Sequence, residues 1–354
     1  MKADARINEA IDKLFAKIQL LNFRNLNISE YNRNYLIKYI DNYSYFMSFY
    51  AQLLQKALKK LNKPVSESTF IDYGGGCGML SYLAKEIGFK TVVYTDIYEV
   101  SANDAQTISK SLDIAIDYFM CGDVEAFCKE INRFNLKPDL ICSFDVLEHI
   151  YDLEAWIKTI NQLKSEFSLL FMTSANSNNP FVSNRLKKLH LKSELKGSEK
   201  TTGWKGIDLN TSYLEERKNI IRRKFPELND SDLNLLSIKS RGLRKDDIEK
   251  VVYEYIKTGK ISYEIKHSTN TCDPYTGNWT ENLIDLKELK IFIRRNNLHV
   301  VLSNSFHVYS KNKLLNAPKY LLNQLIRVLG PQNLFFSPTY TLEIQKSQTQ
   351  IGLD

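Results

Sequence analysis

The chain has 354 residues, of which 43% are hydrophobic, 12% aromatic and 25% charged. This composition excludes a disordered protein, which would have fewer aromatic residues and more charge. The formal charge of +7 suits an anionic small molecule, a lipid surface or RNA equally well, so it does not select a partner.

The five cysteines are scattered and odd in number, and none forms a Cys-x-x-Cys pair. They therefore indicate neither a zinc site nor a disulfide framework, and a reducing compartment is the simplest one. The N-terminal stretch is amphipathic and lacks the apolar centre of a signal peptide. No run approaches eighteen uncharged apolar residues, so we expect a cytoplasmic protein without a transmembrane segment.

Residues 1–66 carry apolar residues at helical spacing, which predicts a helical N-terminal cap. The stretch from Tyr35 to Leu61 has this spacing over several turns and is predicted as one helix. It is rich in tyrosine and phenylalanine, which either pack on a core or line a substrate cleft.

Residues 67–175 alternate between strand and helix patterns. The predicted strands are "TFIDY", "TVVYTD", "IAIDYFMC", "DLICSF" and "SLLFMTS", and each of the first four is followed by a helical pattern. Ser101 or Asn103 is the expected cap of the helix after the second strand. Strands alternating with helices of this length predict an α/β fold, with a parallel sheet covered by helices on both faces.

Residues 176–285 interrupt this alternation and are predicted to be a mainly helical insertion that covers the substrate. A polar, basic stretch after Ser174 predicts a loop with a short helix, and three further helical patterns follow. In residues 286–354 the strand patterns "LHVVLSNSFHVYS" and "TYTLEIQKS" return on either side of an amphipathic helix. We expect this last part to complete the sheet.

A glycine-rich loop joins the first strand to the first helix of the alternating region. Gly74, Gly76 and Gly78 give the spacing GxGxG, which lets a ligand approach the backbone and turns N–H groups toward negative charge. A dinucleotide site would need GxGxxG, and Met79 stands where the third glycine should be. A P-loop is excluded because no Gly-Lys-Ser/Thr follows.

An aspartate stands at or just beyond the end of each of the first three strands. Asp72 precedes the glycine loop and is placed to accept a hydrogen bond from a cationic amino group. Asp96 ends the second strand, where an acidic side chain receives the two ribose hydroxyls in nucleotide-binding folds. Asp123 is placed to accept from an exocyclic amine. Adenosine with an amino-acid tail, as in S-adenosylmethionine, needs all three of these acceptors.

The segments "FIDYGGGCGML", "YTDI", "CGDVEAF" and "DLICSFDVLEHI" resemble successive motifs of the class I, Rossmann-like methyltransferases. The resemblance covers about residues 68–175, with 298–346 as the closing antiparallel pair. It implies a seven-stranded, mostly parallel sheet with an antiparallel closing strand, and S-adenosylmethionine as cofactor. The cofactor contacts that it implies are Asp72, Gly74, Gly76 and Gly78 at the methionyl part, Asp96 at the ribose, Asp123 and Val124 at the adenine, and Gly75, Ile97, Phe144 and Asp145 as further backbone or packing contacts.

The segment "SFDVLEHIYD" follows the fourth strand and leaves three interpretations open. His149 is a candidate general base, because an imidazole titrates near neutral pH. Asp145, Glu148 and His149 are similar to the Glu-x-x-Glu-His pattern of some metal-dependent O-methyltransferases, which would bind a divalent cation. With aspartate in the first position and no fourth ligand assigned, no metal is predicted. The third interpretation is a purely structural turn.

The stretch from His267 to Glu281 is polar and aromatic, and Pro274 and Gly277 shape its turns. It either closes over a hydroxylated ligand or is an ordinary loop. His267 is therefore a second candidate base.

We expect the protein to transfer a methyl group from S-adenosylmethionine to an oxygen of a small-molecule or glycan acceptor. The layout resembles that of methyltransferases in bacterial surface-polysaccharide assembly. An RNA methyltransferase, a non-catalytic cofactor-binding scaffold and a nicotinamide-dependent oxidoreductase are the alternatives. The basic segments are no more than ordinary exposed helix faces, which disfavours a nucleic acid partner. The stretch "KNKLLNAPKYLLNQLIRVLG" permits peripheral membrane contact, although a core helix is the simpler interpretation. No oligomeric state is predicted.

Overall fold

The computed structural model describes residues 5–197, 211–309 and 316–346. The chain divides into two compact units. The sheet unit consists of Met1–Leu147, Leu153–Ser174 and Leu286–Asp354, and the insertion unit consists of Glu148–Asp152 and Ala175–Asp285. Among the described residues, no helix combines the length and the apolar character needed to cross a membrane.

Three helices precede the sheet: α1 (Ala5–Leu20), α2 (Glu30–Asp41) and α3 (Tyr43–Leu58). The prediction of one helix from Tyr35 to Leu61 is wrong, because the chain breaks at Asn42 (φ −117°, ψ 31°). The Nδ2 of Asn42 donates to the Lys38 carbonyl over 3.1 Å. An asparagine side chain that binds nearby backbone in this way competes with helix continuation.

The sheet has seven strands in the order β3-β2-β1-β4-β5-β7-β6. The five strands β1 to β5 pair in parallel, and β7 is antiparallel to both β5 and β6. This confirms the predicted seven-stranded, mostly parallel sheet with an antiparallel closing strand. The strands are β1 (Thr69–Tyr73), β2 (Thr91–Asp96), β3 (Tyr118–Cys121), β4 (Leu140–Phe144), β5 (Phe167–Thr173), β6 (His299–Asn304) and β7 (Tyr340–Lys346).

The predicted third strand is longer than β3. Asp117 does not belong to the strand, and its carboxylate accepts the N–H of Val92 over 2.8 Å. The Asp117 carboxylate therefore occupies the Val92 N–H, which would otherwise donate to a backbone carbonyl of a longer β3. Residues of β5 are buried along its whole length, as expected for a strand covered on both faces.

The helices that flank the first five strands are α4 (Met79–Ile87), α5 (Glu99–Ser111), α6 (Val124–Arg133) and α7 (Leu153–Ile160). The expected cap of α5 is wrong. The Tyr98 carbonyl accepts the N–H groups of Ser101 and Ala102 over 3.0 and 3.1 Å, so the helix begins two residues before Ser101. Ser101 is buried inside the first turn.

The insertion unit contains α8 (Pro180–Leu195), α9 (Tyr213–Lys224), α10 (Asp230–Lys239) and α11 (Lys245–Thr258). The last three confirm the predicted helices, and their core is Ile220, Ile221, Phe225, Leu233, Leu236, Ile248 and Val252. The predicted loop with a short helix is wrong, because α8 has 16 residues. Asn179 accepts the N–H groups of Phe181 and Val182, and Pro180 stands at the first helical position, where its missing donor costs nothing.

Two more helices belong to the sheet unit: α12 (Leu286–Arg295) precedes β6, and α13 (Asn316–Leu329) lies between β6 and β7 in the chain. Short 3₁₀ helices span Val65–Glu67 and Leu147–His149. The largest core of the sheet unit joins α1, α3 and α4 to one face of the sheet through residues such as Leu14, Leu53, Phe70, Leu83 and Leu140.

Candidate functional site

The glycine loop has one packed position and one open position. A Cβ on Gly75 would lie 2.5 Å from the Tyr94 ring and 2.8 Å from Oδ2 of Asp72. A Cβ on Gly76 would meet nothing within 4 Å, but Gly76 has φ +53°, which L side chains rarely adopt. Gly75 is thus needed for packing behind the loop. The open space at Gly76 lets a ligand approach the backbone.

Backbone hydrogen bonds hold the loop in shape. The N–H groups of Gly74 and Gly75 donate to the Thr95 carbonyl over 2.8 and 3.0 Å. The N–H of Gly76 donates to Oδ2 of Asp96 over 2.9 Å, and the hydroxyl of Tyr94 donates to the Gly76 carbonyl over 2.6 Å. These hydrogen bonds within the protein fix the shape of the loop.

Asp72 is buried beneath the start of α4. Its Oδ2 accepts from the N–H of Ser81 over 2.9 Å and from the Ser81 hydroxyl over 2.7 Å. Burial raises the pKa of Asp72 to about 7, and the two bonds from Ser81 oppose this rise. A cationic group brought close to Asp72 would favour its ionised form.

Asp96 anchors the loop to the end of β2. Only 8% of it is exposed, and Oδ1 accepts from the N–H of Tyr98 over 2.9 Å while Oδ2 accepts from Gly76. Burial raises the pKa of Asp96, and backbone hydrogen bonds oppose the rise. Each carboxylate oxygen has two lone pairs, so Asp96 retains capacity for hydroxyl donors. Ile97 beside it is 59% exposed.

Asp123 caps a helix. It is the N-cap of α6, and its Oδ1 accepts from the N–H of Ala126 over 2.9 Å. The carboxylate is exposed and Val124 is half-buried. The capping bond explains an aspartate at this position without a ligand, so the adenine contact remains a prediction.

The end of β4 is packed under the aromatic residues of α3. The half-buried ring of Phe144 lies 5.8 Å from Phe49 and 5.4 Å from Tyr50, and both of these are buried. The aromatic residues of α3 at this point therefore pack on the core. Asp145 has φ +54°, and its Oδ1 accepts from the N–H of Ser174 over 2.7 Å. A non-glycine residue in this conformation is strained, which is common beside functional sites.

Two tyrosines of the site were not expected from the sequence. Tyr94 stands in a buried strand, where an aromatic residue looks like ordinary core. Burial raises the pKa of Tyr31 on α2 well above its usual range, and the charge of Asp96 is among the further causes. Neither residue has a sequence signal that distinguishes it from other tyrosines.

In the insertion unit, His149 is held by the backbone of a distant segment. Its Nδ1 lies 2.8 Å from the Trp279 carbonyl oxygen. A carbonyl only accepts hydrogen bonds, so Nδ1 carries a proton, and in the neutral ring Nε2 then presents a lone pair. His149 is therefore oriented as a base or as a ligand through Nε2.

Two carboxylates accompany His149. Ligand atoms of Glu148, His149 and Glu281 lie within 4.8 Å of one another, and Glu148 is fully buried. The backbone joins the same segments, because the N–H of Asn282 donates to the Glu148 carbonyl over 3.1 Å. The structure thus groups Glu281 with Glu148 and His149, where the sequence interpretation had grouped Asp145 with them.

The polar loop, residues His267–Glu281, is fixed to the segment that carries His149. The indole N–H of Trp279 donates to the Tyr151 carbonyl over 3.0 Å, and the two rings stack at 6.1 Å. A Cβ on Gly277, whose φ is +74°, would lie 2.6 Å from the Tyr151 ring. Asp273 accepts from the N–H groups of Tyr275 and Thr276 over 2.8 and 3.0 Å. These contacts make the polar loop the support of His149.

His267 belongs to another chain of hydrogen bonds. The N–H of Thr269 donates to its Nδ1 over 3.3 Å, and burial, with Lys187 and Arg241, lowers its pKa. Thr269 Oγ1 also lies 3.2 Å from Nδ1 of His190, whose Nε2 donates to the Glu281 carbonyl over 3.0 Å. The role of His267 as a base stays a prediction.

Comparison with known proteins gives a family match and one curated relative. Residues 42–205 match the family model described as a methyltransferase domain. The relative is the ubiquinone biosynthesis O-methyltransferase of Pelagibacter ubique (strain HTCC1062), 24% identical over 119 residues, which are 34% of this chain. The chain matches only 47% of that protein and so spans about half of its length.

Solved structures with a similar backbone include other methyltransferases. The plantazolicin methyltransferase BpumL in complex with SAH is 14% identical, and the match covers 96% of this chain and 99% of that chain with a TM-score of 0.39. A putative S-adenosylmethionine dependent methyltransferase from Listeria monocytogenes is 12% identical, with 85% and 99% covered and a TM-score of 0.40. Similarity at this level carries no argument about function. The family match identifies residues 42–205 as a methyltransferase domain, and the seven-stranded sheet with its glycine loop has the Rossmann-like architecture that the sequence resemblance implied.

Proposed function

We propose that the protein transfers the methyl group of S-adenosylmethionine to a hydroxyl oxygen of a small-molecule or sugar acceptor. One observation carries the proposal: the hydrogen bond from Nδ1 of His149 to the Trp279 carbonyl leaves the Nε2 lone pair as a base. An acceptor hydroxyl must lose its proton as it is methylated, and a positioned imidazole performs this transfer near neutral pH.

The reaction is an in-line displacement at the methyl carbon. The acceptor oxygen forms a bond to that carbon, the carbon–sulfur bond breaks, and its electron pair returns to sulfur to give S-adenosylhomocysteine. The hydroxyl proton passes to Nε2 of His149. The carboxylates of Glu148 and Glu281, within 4.8 Å of His149 and of each other, would stabilise the imidazolium that forms.

The glycine loop and the three strand-end aspartates are the residues we propose for the cofactor. Oδ2 of Asp72 is used by Ser81, so Oδ1 is the oxygen proposed for the ammonium of the methionyl group. Asp96 would receive the ribose hydroxyls, and the exposed side chain of Ile97 would cover the adenosine. Asp123 and Val124 remain the proposed contacts of the adenine. Phe144 and Asp145 remain proposed backbone or packing contacts of the cofactor.

Two considerations support oxygen as the acceptor atom and a glycan as the acceptor class. The curated relative is by name an O-methyltransferase. In the polar loop, Tyr275 and Thr276 are exposed and Trp279 and Thr280 are half-buried, and such aromatic and hydroxyl side chains are of the kind that bind hydroxylated rings. We therefore place a sugar of surface-polysaccharide assembly first among acceptors.

Calorimetric titration with S-adenosylhomocysteine tests the cofactor. We expect Asp96→Asn to bind at least about tenfold more weakly than wild type, because a hydrogen bond to a charged group contributes about 1.5–3 kcal/mol. Asp117→Asn is the matched control, because Asp117 also accepts a backbone N–H at 2.8 Å and lies outside the loop. Folded wild-type protein that does not bind the ligand would contradict the proposal.

Transfer of a labelled methyl group tests the acceptor. The protein is incubated with labelled cofactor and, separately, with monosaccharides, nucleotide sugars, phenols and RNA. Label on a hydroxyl of a sugar or phenol supports the proposal. Label on RNA would make the protein an RNA methyltransferase. Cofactor binding without transfer to any acceptor would favour a scaffold.

A further inference from the structure

Helix α13 presents an apolar face to solvent. Leu321, Leu325, Val328 and Leu329 are 64%, 44%, 84% and 46% exposed. Their spacing of i, i+4, i+7 and i+8 places them on one face, which we call the α13 stripe. Tyr320 and Phe335, close by in the sequence, are 53% and 49% exposed.

The opposite face of α13 is attached to the sheet unit by polar contacts. Oδ1 of Asn323 accepts the N–H of His307 over 2.7 Å, and its Nδ2 donates to the His307 carbonyl over 3.0 Å. The ammonium of Lys319 donates to the Val308 carbonyl over 2.8 Å, and Ile326 is buried. These contacts fix the rotation of the helix. With Asn323 on the inner side of the helix, the α13 stripe faces solvent.

The sequence around α13 contains basic residues but no acidic ones. The sequence from Leu289 to Leu342 has no aspartate or glutamate. The rest of the chain has equal numbers of basic and acidic residues, so the formal charge of +7 arises entirely here. The seven basic residues are Lys290, Arg294, Arg295, Lys311, Lys313, Lys319 and Arg327.

We propose that α13 binds the surface of an anionic lipid bilayer, with the α13 stripe at the boundary between headgroups and acyl chains. An interfacial helix needs an apolar face together with nearby basic residues, and α13 with its flanking sequence has both. A second copy of the chain fits less well, because self-association would bring two stretches of the same positive charge together. The inference goes beyond the proposed function and holds whichever acceptor is methylated.

Co-sedimentation of the whole protein with vesicles tests the inference. We expect binding to phosphatidylcholine vesicles that contain phosphatidylglycerol, weak or no binding to phosphatidylcholine alone, and weaker binding as salt is raised. The double variant L321Q/V328Q should lower the vesicle affinity at least about tenfold, because each buried methylene contributes about 0.8 kcal/mol. R327Q should weaken binding by a smaller factor of about five, in line with roughly 1 kcal/mol per basic residue.

The control is L20Q, because Leu20 is 88% exposed at the end of α1. It should bind vesicles like wild type. Thermal unfolding and binding of S-adenosylhomocysteine should be unchanged in all variants, which separates this test from that of the proposed function. Absence of binding to phosphatidylglycerol vesicles, or equal loss in L20Q and L321Q/V328Q, would overturn the proposal. A dimer in solution that L321Q/V328Q dissociates would also overturn it, since the stripe would then belong to a contact between copies.

Discussion

The glycine loop of the sheet unit and the His149 site of the insertion unit are stabilised by different kinds of contact. The loop is held by backbone N–H groups that donate to Thr95 and Asp96, residues at the end of the neighbouring strand. His149 depends on the Trp279 carbonyl, which the polar loop brings from far along the chain. Trp279 is in turn held by its bond to Tyr151.

Because of this difference, we expect substitutions at the two sites to change different properties of the protein. The glycine loop has several independent hydrogen bonds, so it retains its shape when one side chain is changed. The orientation of His149 depends on the Trp279 carbonyl, which lies 130 residues away in the chain. We therefore expect substitutions at His149 to affect the chemical step strongly, and substitutions around the loop to divide between stability and cofactor affinity.

The largest expected effect is that of His149→Asn. Asparagine keeps an N–H group that can donate to the Trp279 carbonyl, but it has no basic nitrogen. The methyl-transfer rate should fall by about 10²–10⁴, the usual contribution of a general base, with the affinity for S-adenosylhomocysteine unchanged. Rates are measured under single-turnover conditions with the acceptor found by screening.

His307→Gln is the matched control for this rate measurement, because the glutamine amide can replace the ring Nε2–H. Nε2 of His307 donates to the Phe336 carbonyl over 2.8 Å, a similar bond in the sheet unit. An equal loss of rate in both variants would mean that His149 has a structural role and does not transfer a proton.

The next effect separates the two glycines of the loop. Gly75→Ala should lower the free energy of unfolding by about 1–3 kcal/mol, because its Cβ would overlap the Tyr94 ring. Gly76→Ala should cost roughly 1–2 kcal/mol for its left-handed backbone and should also weaken ligand binding about tenfold or more by filling the open space. Denaturant unfolding and calorimetric titration of both variants measure these effects. If Gly76→Ala bound S-adenosylhomocysteine as tightly as wild type, the ligand would not occupy the open space beside Gly76.

The smallest effect is a pH dependence of stability. Burial raises the pKa of Asp72 to about 7 in the folded protein. The folded state then binds a proton that the unfolded state has released, so stability falls as pH rises toward and through 7. Between pH 6 and 8 wild type should lose about 1.4 kcal/mol from this group, the equivalent of one pKa unit. Asp72→Asn, which cannot ionise, should lack this loss in denaturant unfolding at the two pH values. If the free energy of unfolding changed equally with pH in both proteins, a group other than Asp72 would be responsible.

Most of the sheet was predictable because its signals are local. Strands buried on both faces are apolar runs, and a helix between two of them leaves only a parallel pairing. The breaks were harder to predict, since the helical spacing of apolar residues continues across Asn42 and Asn179 caps a helix in a polar stretch. Both depend on hydrogen bonds of a single asparagine side chain, which the spacing of apolar residues does not reveal.

The candidate site divides in the same way. Asp72, Asp96 and the glycines were visible because strand ends and glycine spacing are sequence features. Tyr94 and Glu281 were not visible, because their roles arise from contacts between separate segments of the chain. Sequence spacing locates strand-end aspartates and a glycine loop, whereas it does not show which distant side chains, such as that of Glu281, lie near His149.

The burial of Asp72 has a consequence for the exchange of the cofactor. Near neutral pH, part of the protein population holds a proton on Asp72, and an arriving ammonium group would displace that proton into solution. Loading of the methyl donor is then also a proton-release reaction. The heat of S-adenosylmethionine binding would therefore depend on which buffer takes up the proton. A lower pH would reduce the affinity for S-adenosylmethionine, whatever the concentration of the methyl acceptor.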